Sequence, residues 1–596
     1  MSIVYELAVI IIVATVLAYL AKALKQQIIP AYIIAGVFLG PIAGRFLGNI
    51  GIITNLNLVK EMSELGITFL LFIVGMEIKF NKLKDVGLVA IMGTVIQFVI
   101  IFVSGFILST FFFTTIESLF LGLTLAFGST MVVIDTLTRN NEIDTLHGKI
   151  CISILLVQDI IAILSITLLA GFSTNSGGLN TLAGIFVALL KAILLLFIAL
   201  ISIKIMPKIF KFAARSQELL FMCAISVAFI FAILAQQIGN ILAWILTPLG
   251  LTQGSQLFEL ITPGFSLAIG GFLGGVTIGS LPYAVEISGK VSSLKEFFAT
   301  IFFVSLGMEI KIFQLNSIII PAIIMLIFLI SIKPLTIALV TALFGFEKKT
   351  SFITGISLFQ VSEFAIIINT LGLAYNLITP KIFSLTILLA GITMVLTSYS
   401  ITYKNTLFNK IGDKITYLHL ITKKNEKLQF LPEKGNKEVI LIGFNRIGYS
   451  IFKTLRRMKK QFIILDYNPE TIKRLIKEKI HCIYGDASDT ETLDKLNLSK
   501  AKTMISTVPD FNTNLLLVEK ARKENKKIVI FVTAYNNEDA LELYDKGADY
   551  VILPHQLGGE HVSLMLEDIT IDISKMIMHR FNHIFDLKEK ERMKYN

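Results

Sequence analysis

The chain has 596 residues, 54% of them hydrophobic and 16% charged, with a net charge of +11 and a mean hydropathy of +0.75. These values exclude a single soluble core, and basic loops along one membrane face account for the charge excess without a nucleic-acid partner. Three scattered cysteines, Cys151, Cys223 and Cys482, exclude a disulfide framework and a cysteine metal cluster.

In chain order, residues 3–21 form an apolar run with neither a basic leader region nor a small-residue cleavage site, so they read as a retained first span. Twelve further runs follow at roughly 28–40, 63–79, 86–113, 116–137, 148–171, 181–206, 216–247, 261–281, 295–310, 315–345, 350–372 and 380–403. Loops after even-numbered spans hold only Arg45, Lys60, Lys311 and Lys381. Those after odd-numbered spans are basic throughout, from Lys22 and Lys25 through Lys79, Lys82 and Lys84 to Lys348 and Lys349. The positive-inside rule then puts the N-terminus outside and everything after span thirteen in the cytoplasm of a cell-membrane protein.

The segment Gly75-Met76-Glu77-Ile78-Lys79 closes span three and recurs as Gly307-Met308-Glu309-Ile310-Lys311 at the end of span ten, an offset of 232 (307 − 75). At that offset Phe127-Gly128-Ser129-Thr130-Met131 falls on Phe359-Gln360-Val361-Ser362-Glu363. Both segments set helix-breaking or polar groups in mid-span, where unwound backbone is tolerable only along a cavity or ion site. Seven spans separate the copies, an odd number, so the halves are inverted. Inverted repeats with broken helices mark secondary transporters, whose sites lie near the midplane.

Span six carries Gln158-Asp159 near its centre, where a carboxylate costs about 2.5–3.5 kcal/mol. Asp159 is therefore expected either to pair with a charge on another helix or to carry an ion or proton, here transported K+ or Na+. The equivalent position in the second half is Gly391, preceded by Ala390, so the acid has no copy. The other deep charge, Lys333 in span eleven, is expected to pair with Asp159. Lys191 also lies in mid-span and has no assigned role. Ser129, Thr130, Ser362 and Glu363 complete the candidate ion site, Glu363 as a charge partner for a half-helix dipole.

These segments resemble the Kef-type members of the second monovalent cation:proton antiporter family. The resemblance is carried by Leu65 to Glu77, Ser129-Thr130, Val157 to Ile160, Phe303 to Met308 and Gln360 to Phe364. It implies that Asp159 alternately carries a proton and a cation, that Lys333 is the family's membrane lysine, and that the protein is a homodimer in lipid. Electrogenic relatives have two acids where this chain has Gln158-Asp159, so one acid is similar to the electroneutral, potassium-selective branch.

Residues 404–436, rich in Lys and Asn, read as a cytoplasmic linker, and 556–596 as a helical tail. Between them, 437–555 alternate apolar strands with polar helices. Glu438 to Gly448 reads as strand, turn and helix start, with Gly443 and Gly448 in the positions of a dinucleotide fingerprint but Asn445 in place of its middle glycine. A second strand ends in Asp466, where an acid grips ribose hydroxyls, and further strand ends place Asp486, Ala487 and Thr507. This region resembles the RCK (KTN, TrkA-N) nucleotide-binding domain. The resemblance places Arg446 where phosphate is neutralised and Asp486 and Ala487 at the base or ribose, and Ile447 is a further candidate for cofactor binding. A family arginine after strand Ile528 to Val532 is Thr533 here, so glutathione gating does not carry over.

The overall expectation is a polytopic α-helical transporter joined to an α/β Rossmann-like domain, not an enzyme. It would exchange K+ for H+ electroneutrally, regulated by an adenine nucleotide, AMP or NAD(H), with no catalytic cofactor. The rivals are a Na+/H+ antiporter and an RCK-gated potassium channel, and no Thr-Val-Gly-Tyr-Gly filter favours the channel.

Overall fold

The computed structural model divides into two compact units, Met1–Asn140 with His147–Leu418 and Asn141–Leu146 with His419–Asn596. It describes residues 3–42, 56–171, 182–249, 264–310, 317–344, 346, 348–411, 429–430 and 438–559, with 258, 261, 262, 562 and 563 besides and without 25, 78, 79, 141, 144, 468, 488 and 489. Of the expected tail, 556–596, only residues 556–559, 562 and 563 are among the described residues.

Apolar runs without breakers satisfy every backbone group internally, and they fold as helices. The long ones are Ile3–Ala23, Leu56–Glu77, Phe80–Thr110, Leu146–Gly171, Leu182–Ala213, Gln217–Leu246, Ala284–Glu309 and Pro380–Thr402, and Ile28–Val37 and Leu267–Gly279 are shorter. Span five is split into Thr115–Ala126 and Thr130–Arg139, and span twelve into Lys348–Ser357 and Glu363–Ala374. By length and composition eight described helical stretches could cross a membrane, the broken Thr115–Arg139 and Ile319–Leu343 among them.

The breaks fall in the two expected segments, with one correction of register. The residues capping the second half-helices are Ser129 and Ser362, 233 apart and not 232. The first break comprises residues 127–129 and the second 358–362, so the longer break shifts the cap by one. The repeated glycines have a packing role. A Cβ on Gly75 would sit 2.3 Å from Phe272 O, and one on Gly307 2.1 Å from Ile33 O. Each copy of the motif thus closes a tight helix crossing, span three on nine and span ten on two.

Span eleven is not one regular helix. Ile319–Ile327 passes into a π-helical turn, Phe328–Ile332, and then into Lys333–Leu343. Pro334 has no N–H to continue the ladder, and such bulges accompany functional positions.

The second unit holds a seven-stranded sheet in the order β1-β4-β3-β2-β5-β6-β7. Its strands are β1 (Gln429–Phe430), β2 (Val439–Ile442), β3 (Phe462–Asp466), β4 (Cys482–Tyr484), β5 (Thr503–Ser506), β6 (Val529–Thr533) and β7 (Tyr550–Ile552). Every pair is parallel except β1 on β4. Strands buried on both faces need continuous apolar runs. Accordingly Ile440, Ile463 and Met504 fill one side, and Leu441, Ile464 and Phe452 the other. The chain proceeds outward from β2 to β4 and then from β5 to β7, so the topological switch point lies between β2 and β5. The expected linker is not featureless. Its start continues as the helix Lys404–Ile411, and its later part contributes β1.

Candidate ion site and nucleotide turn

The first break begins where Phe127 turns extended after Ala126, and Ser129 caps the next half-helix by accepting the Val132 N–H at 3.3 Å. Ser362 does the same in the second break, accepting from Phe364 N at 3.1 Å. Breaking a helix frees carbonyls behind the break and N–H groups ahead of it, and inside a bilayer each needs a partner.

Lys333 supplies partners for the carbonyls. Its fully buried Nζ donates to Phe127 O at 2.8 Å and to Gln360 O at 2.9 Å. One ammonium therefore clasps both breaks, each just past the C-terminal end of a half-helix, where the dipole favours a cation. This corrects the expected Lys333–Asp159 pair, because the donors of Lys333 are directed to main-chain oxygens. A second link between the breaks was not among the expected site residues: Gln360 Nε2 donates to Ser129 O at 3.0 Å. Gln360 lies within the break segment, so the sequence placed it correctly and left its role open. Thr393 accepts the Val361 N–H at 3.1 Å, and Asn369 Nδ2 donates to Thr124 Oγ1 at 2.7 Å. Nothing in the sequence pattern signalled either bond.

The acid and amide of span six reach the first break from the other side. Gln158, 1% exposed, accepts the Gly128 N–H on Oε1 at 3.0 Å. Asp159 is half-buried, and Thr130, the first residue after the cap, shares its hydroxyl between the two carboxylate oxygens at 3.0 and 2.9 Å. Asp159 thus stands at the N-terminal end of one half-helix, and buried Glu363 opens the other. The layout is consistent: the cation lies at the C-terminal ends and the acids at the N-terminal ends. Asp159, Gln158, Ser129, Thr130 and Lys333 meet around the first break, while Ser362 and Glu363 belong to the second. Lys191 is buried within Leu182–Ala213. Around the first break the side chains offer one carboxylate, a neutral amide and hydroxyls, which is a ligand set for a hard monovalent cation or a proton.

In the sheet domain, Gly443 takes φ +87, which a side chain would strain. Asn445 caps the helix Arg446–Arg457, its Oδ1 accepting from Ile447 N and Gly448 N at 3.0 Å each, while its Nδ2 donates to Thr507 O at 2.9 Å. Asp466 Oδ2 accepts the Phe444 N–H at 2.5 Å. The Thr507 hydroxyl bonds inward, to Ile442 O at 3.2 Å and Gly443 O at 3.0 Å. Asp486 and Ala487 follow β4, and the side chain of Arg446 lies outside the described residues.

Comparison with known proteins gives two family matches, "Sodium/hydrogen exchanger, transmembrane" over residues 9–243 and 240–403 and "TrkA-N domain" over 439–554. The putative cation/proton antiporter YbaL of Escherichia coli K12 is 25% identical over 91% of this chain and 93% of its own length. K(+) efflux antiporter 5 of Arabidopsis thaliana is 28% identical over 66% of this chain and 65% of its own. The glutathione-regulated potassium-efflux system protein KefC of Escherichia coli O139:H28 is 24% identical over 90% of this chain and 80% of its own.

Proposed function

This chain belongs to the transmembrane sodium/hydrogen exchanger family and is a cation/proton antiporter with a C-terminal RCK domain, and on that premise we propose that it exchanges K+ for H+ through Asp159, one for one. The observation that carries the reading is the seat of the Asp159 carboxylate beside the first break, at the start of the half-helix Thr130–Arg139. That carboxylate takes the Thr130 hydroxyl on both of its oxygens, while the donors of Lys333 go to Phe127 O and Gln360 O. A proton and a monovalent cation then compete for one carboxylate, which is the elementary requirement of antiport. Gln158 holds Gly128 and has no charge to exchange. A cycle with one acid therefore moves one charge each way and is electroneutral. Potassium is favoured over sodium because two relatives are potassium-efflux proteins by name.

The RCK domain regulates this exchange by binding an adenine nucleotide, AMP or NAD(H), at the switch point between β2 and β5. Asp466, at the end of β3, favours a free ribose 2′-hydroxyl. No Gly-Lys-Ser/Thr phosphate loop follows any strand, so the nucleotide regulates transport and does not power it. The basic loops support an N-terminus outside and a cytoplasmic RCK domain, and the family resemblance supports a homodimer. Purified protein in liposomes tests the reading. Outward K+ gradients should drive H+ uptake, Na+ should do so less well, and neither should generate a membrane potential. Uncoupled K+ current would contradict it and favour a channel.

A further inference from the structure

We propose that Asn445 is a specificity-determining residue that fills the phosphate seat of the RCK domain, so that a nucleotide is held there by its base and ribose and gains little from its phosphates. The inference rests on the reading of residues 437–555 as a nucleotide site.

A glycine-rich turn binds phosphate because N–H groups at the helix start are unclaimed and because no side chain blocks the close approach of the backbone. Neither condition holds here. The Ile447 and Gly448 N–H groups, which a phosphate would use, both donate to Asn445 Oδ1 at 3.0 Å. The other end of the same amide donates to Thr507 O at 2.9 Å. Asn445 therefore spans from the helix beyond β2 to the end of β5, across the switch point itself. It also adds a side chain at the fingerprint's middle position, where a glycine would leave room for a pyrophosphate. A phosphate entering this seat has to break three hydrogen bonds and displace the side chain, which offsets the charge-assisted bonds it forms. The acid at the ribose position is untouched by this arrangement. Asp466 bonds the turn from its own strand end and not through Asn445.

Binding of adenosine, AMP, ADP and NADH to the full-length protein in detergent, measured calorimetrically, tests the proposal. The four should bind the wild type within about threefold of one another, and Asn445→Gly should favour the phosphate-bearing ligands over adenosine by about tenfold or more. Asn445→Asp keeps both accepted N–H bonds and adds a negative charge, so it should weaken the phosphate-bearing ligands relative to adenosine by about tenfold. It also retains the helix cap, so the test survives a poorly folded glycine variant. If Asn445 were a helix cap only, Asn445→Gly would lower stability and both variants would leave the ranking of ligands unchanged, which would overturn the proposal. A wild type that already prefers ADP or NADH to adenosine by more than about tenfold would overturn it too. Failure of all four to bind any of the proteins would bring down the nucleotide reading itself, and this proposal with it.

Discussion

Thr130 Oγ1 lies 3.0 and 2.9 Å from the two carboxylate oxygens of Asp159. The hydroxyl belongs to the first residue of the half-helix Thr130–Arg139, so the acid of one span is tied to the break in another. A cation taken up by Asp159 would meet that hydroxyl at once, and a proton on Asp159 would change the bond. Hydrogen bonds to a charged group contribute roughly 1.5–3 kcal/mol, or about tenfold to a hundredfold in affinity. Thr130→Val keeps the shape and removes the bond. It should raise the cation concentration needed for half-maximal exchange by about tenfold or more, read from transport rates in liposomes against K+ concentration. An unchanged KM would show that Thr130 does not contact the bound ion.

Lys333 should matter for stability as well as transport. Lys333→Met leaves Phe127 O and Gln360 O without their buried donor, at about 1–3 kcal/mol for each orphaned group. The purified variant should melt at a lower temperature in detergent and lose most exchange. A variant as stable as the wild type would mean that the clasp does not hold the breaks together.

In the proposed cycle, charge balance rests on Gln158. Its amide accepts the Gly128 N–H and carries no proton of its own to transport. Solid-supported-membrane recordings of the wild type should therefore show no steady current under opposed K+ and H+ gradients. Sustained current would require a second proton carrier in each cycle.

Cys482 is buried in the sheet, and burial pushes its thiol up to about 11. A raised thiol pKa means that the folded state holds the proton more tightly than the unfolded one. Its stabilising effect is complete below the ordinary thiol value of 9.0 and is lost as pH rises through about 11. At pH 8 the folded protein should resist maleimide at Cys482 and react only after denaturation, as peptide mass spectrometry would read. Rapid labelling of the native domain would place Cys482 at the surface.

Much of this was legible in the sequence. The broken spans could be read because Gly128-Ser129-Thr130 and Gln360-Val361-Ser362-Glu363 interrupt apolar runs with groups that compete for backbone bonds. Asp159 stood out because a lone midspan acid is costly, and the structure sets its carboxylate against Thr130 beside the first break. The partner of Lys333 was not, because the sequence shows side chains, whereas the acceptors are carbonyls that exist only once the helices break. The cap register slipped by one because the two breaks differ in length. Strand β1 is two residues long, too short for any alternation to register. Asn445 was visible as a departure from the glycine fingerprint, but its three bonds depend on β5 lying beside β2, which only the sheet order reveals.

The account turns on whether the carboxylate of Asp159 is the shared carrier. Asp159→Asn keeps the size and polarity of the side chain and removes the charge that a proton and K+ compete for. The direct measurement is K+-driven proton flux in liposomes carrying equal amounts of wild-type or Asp159→Asn protein, with insertion checked by proteolysis of the RCK domain. Flux should fall to the level of empty liposomes in the variant while its insertion and melting temperature stay near those of the wild type. Exchange by Asp159→Asn at the wild-type rate would contradict the account.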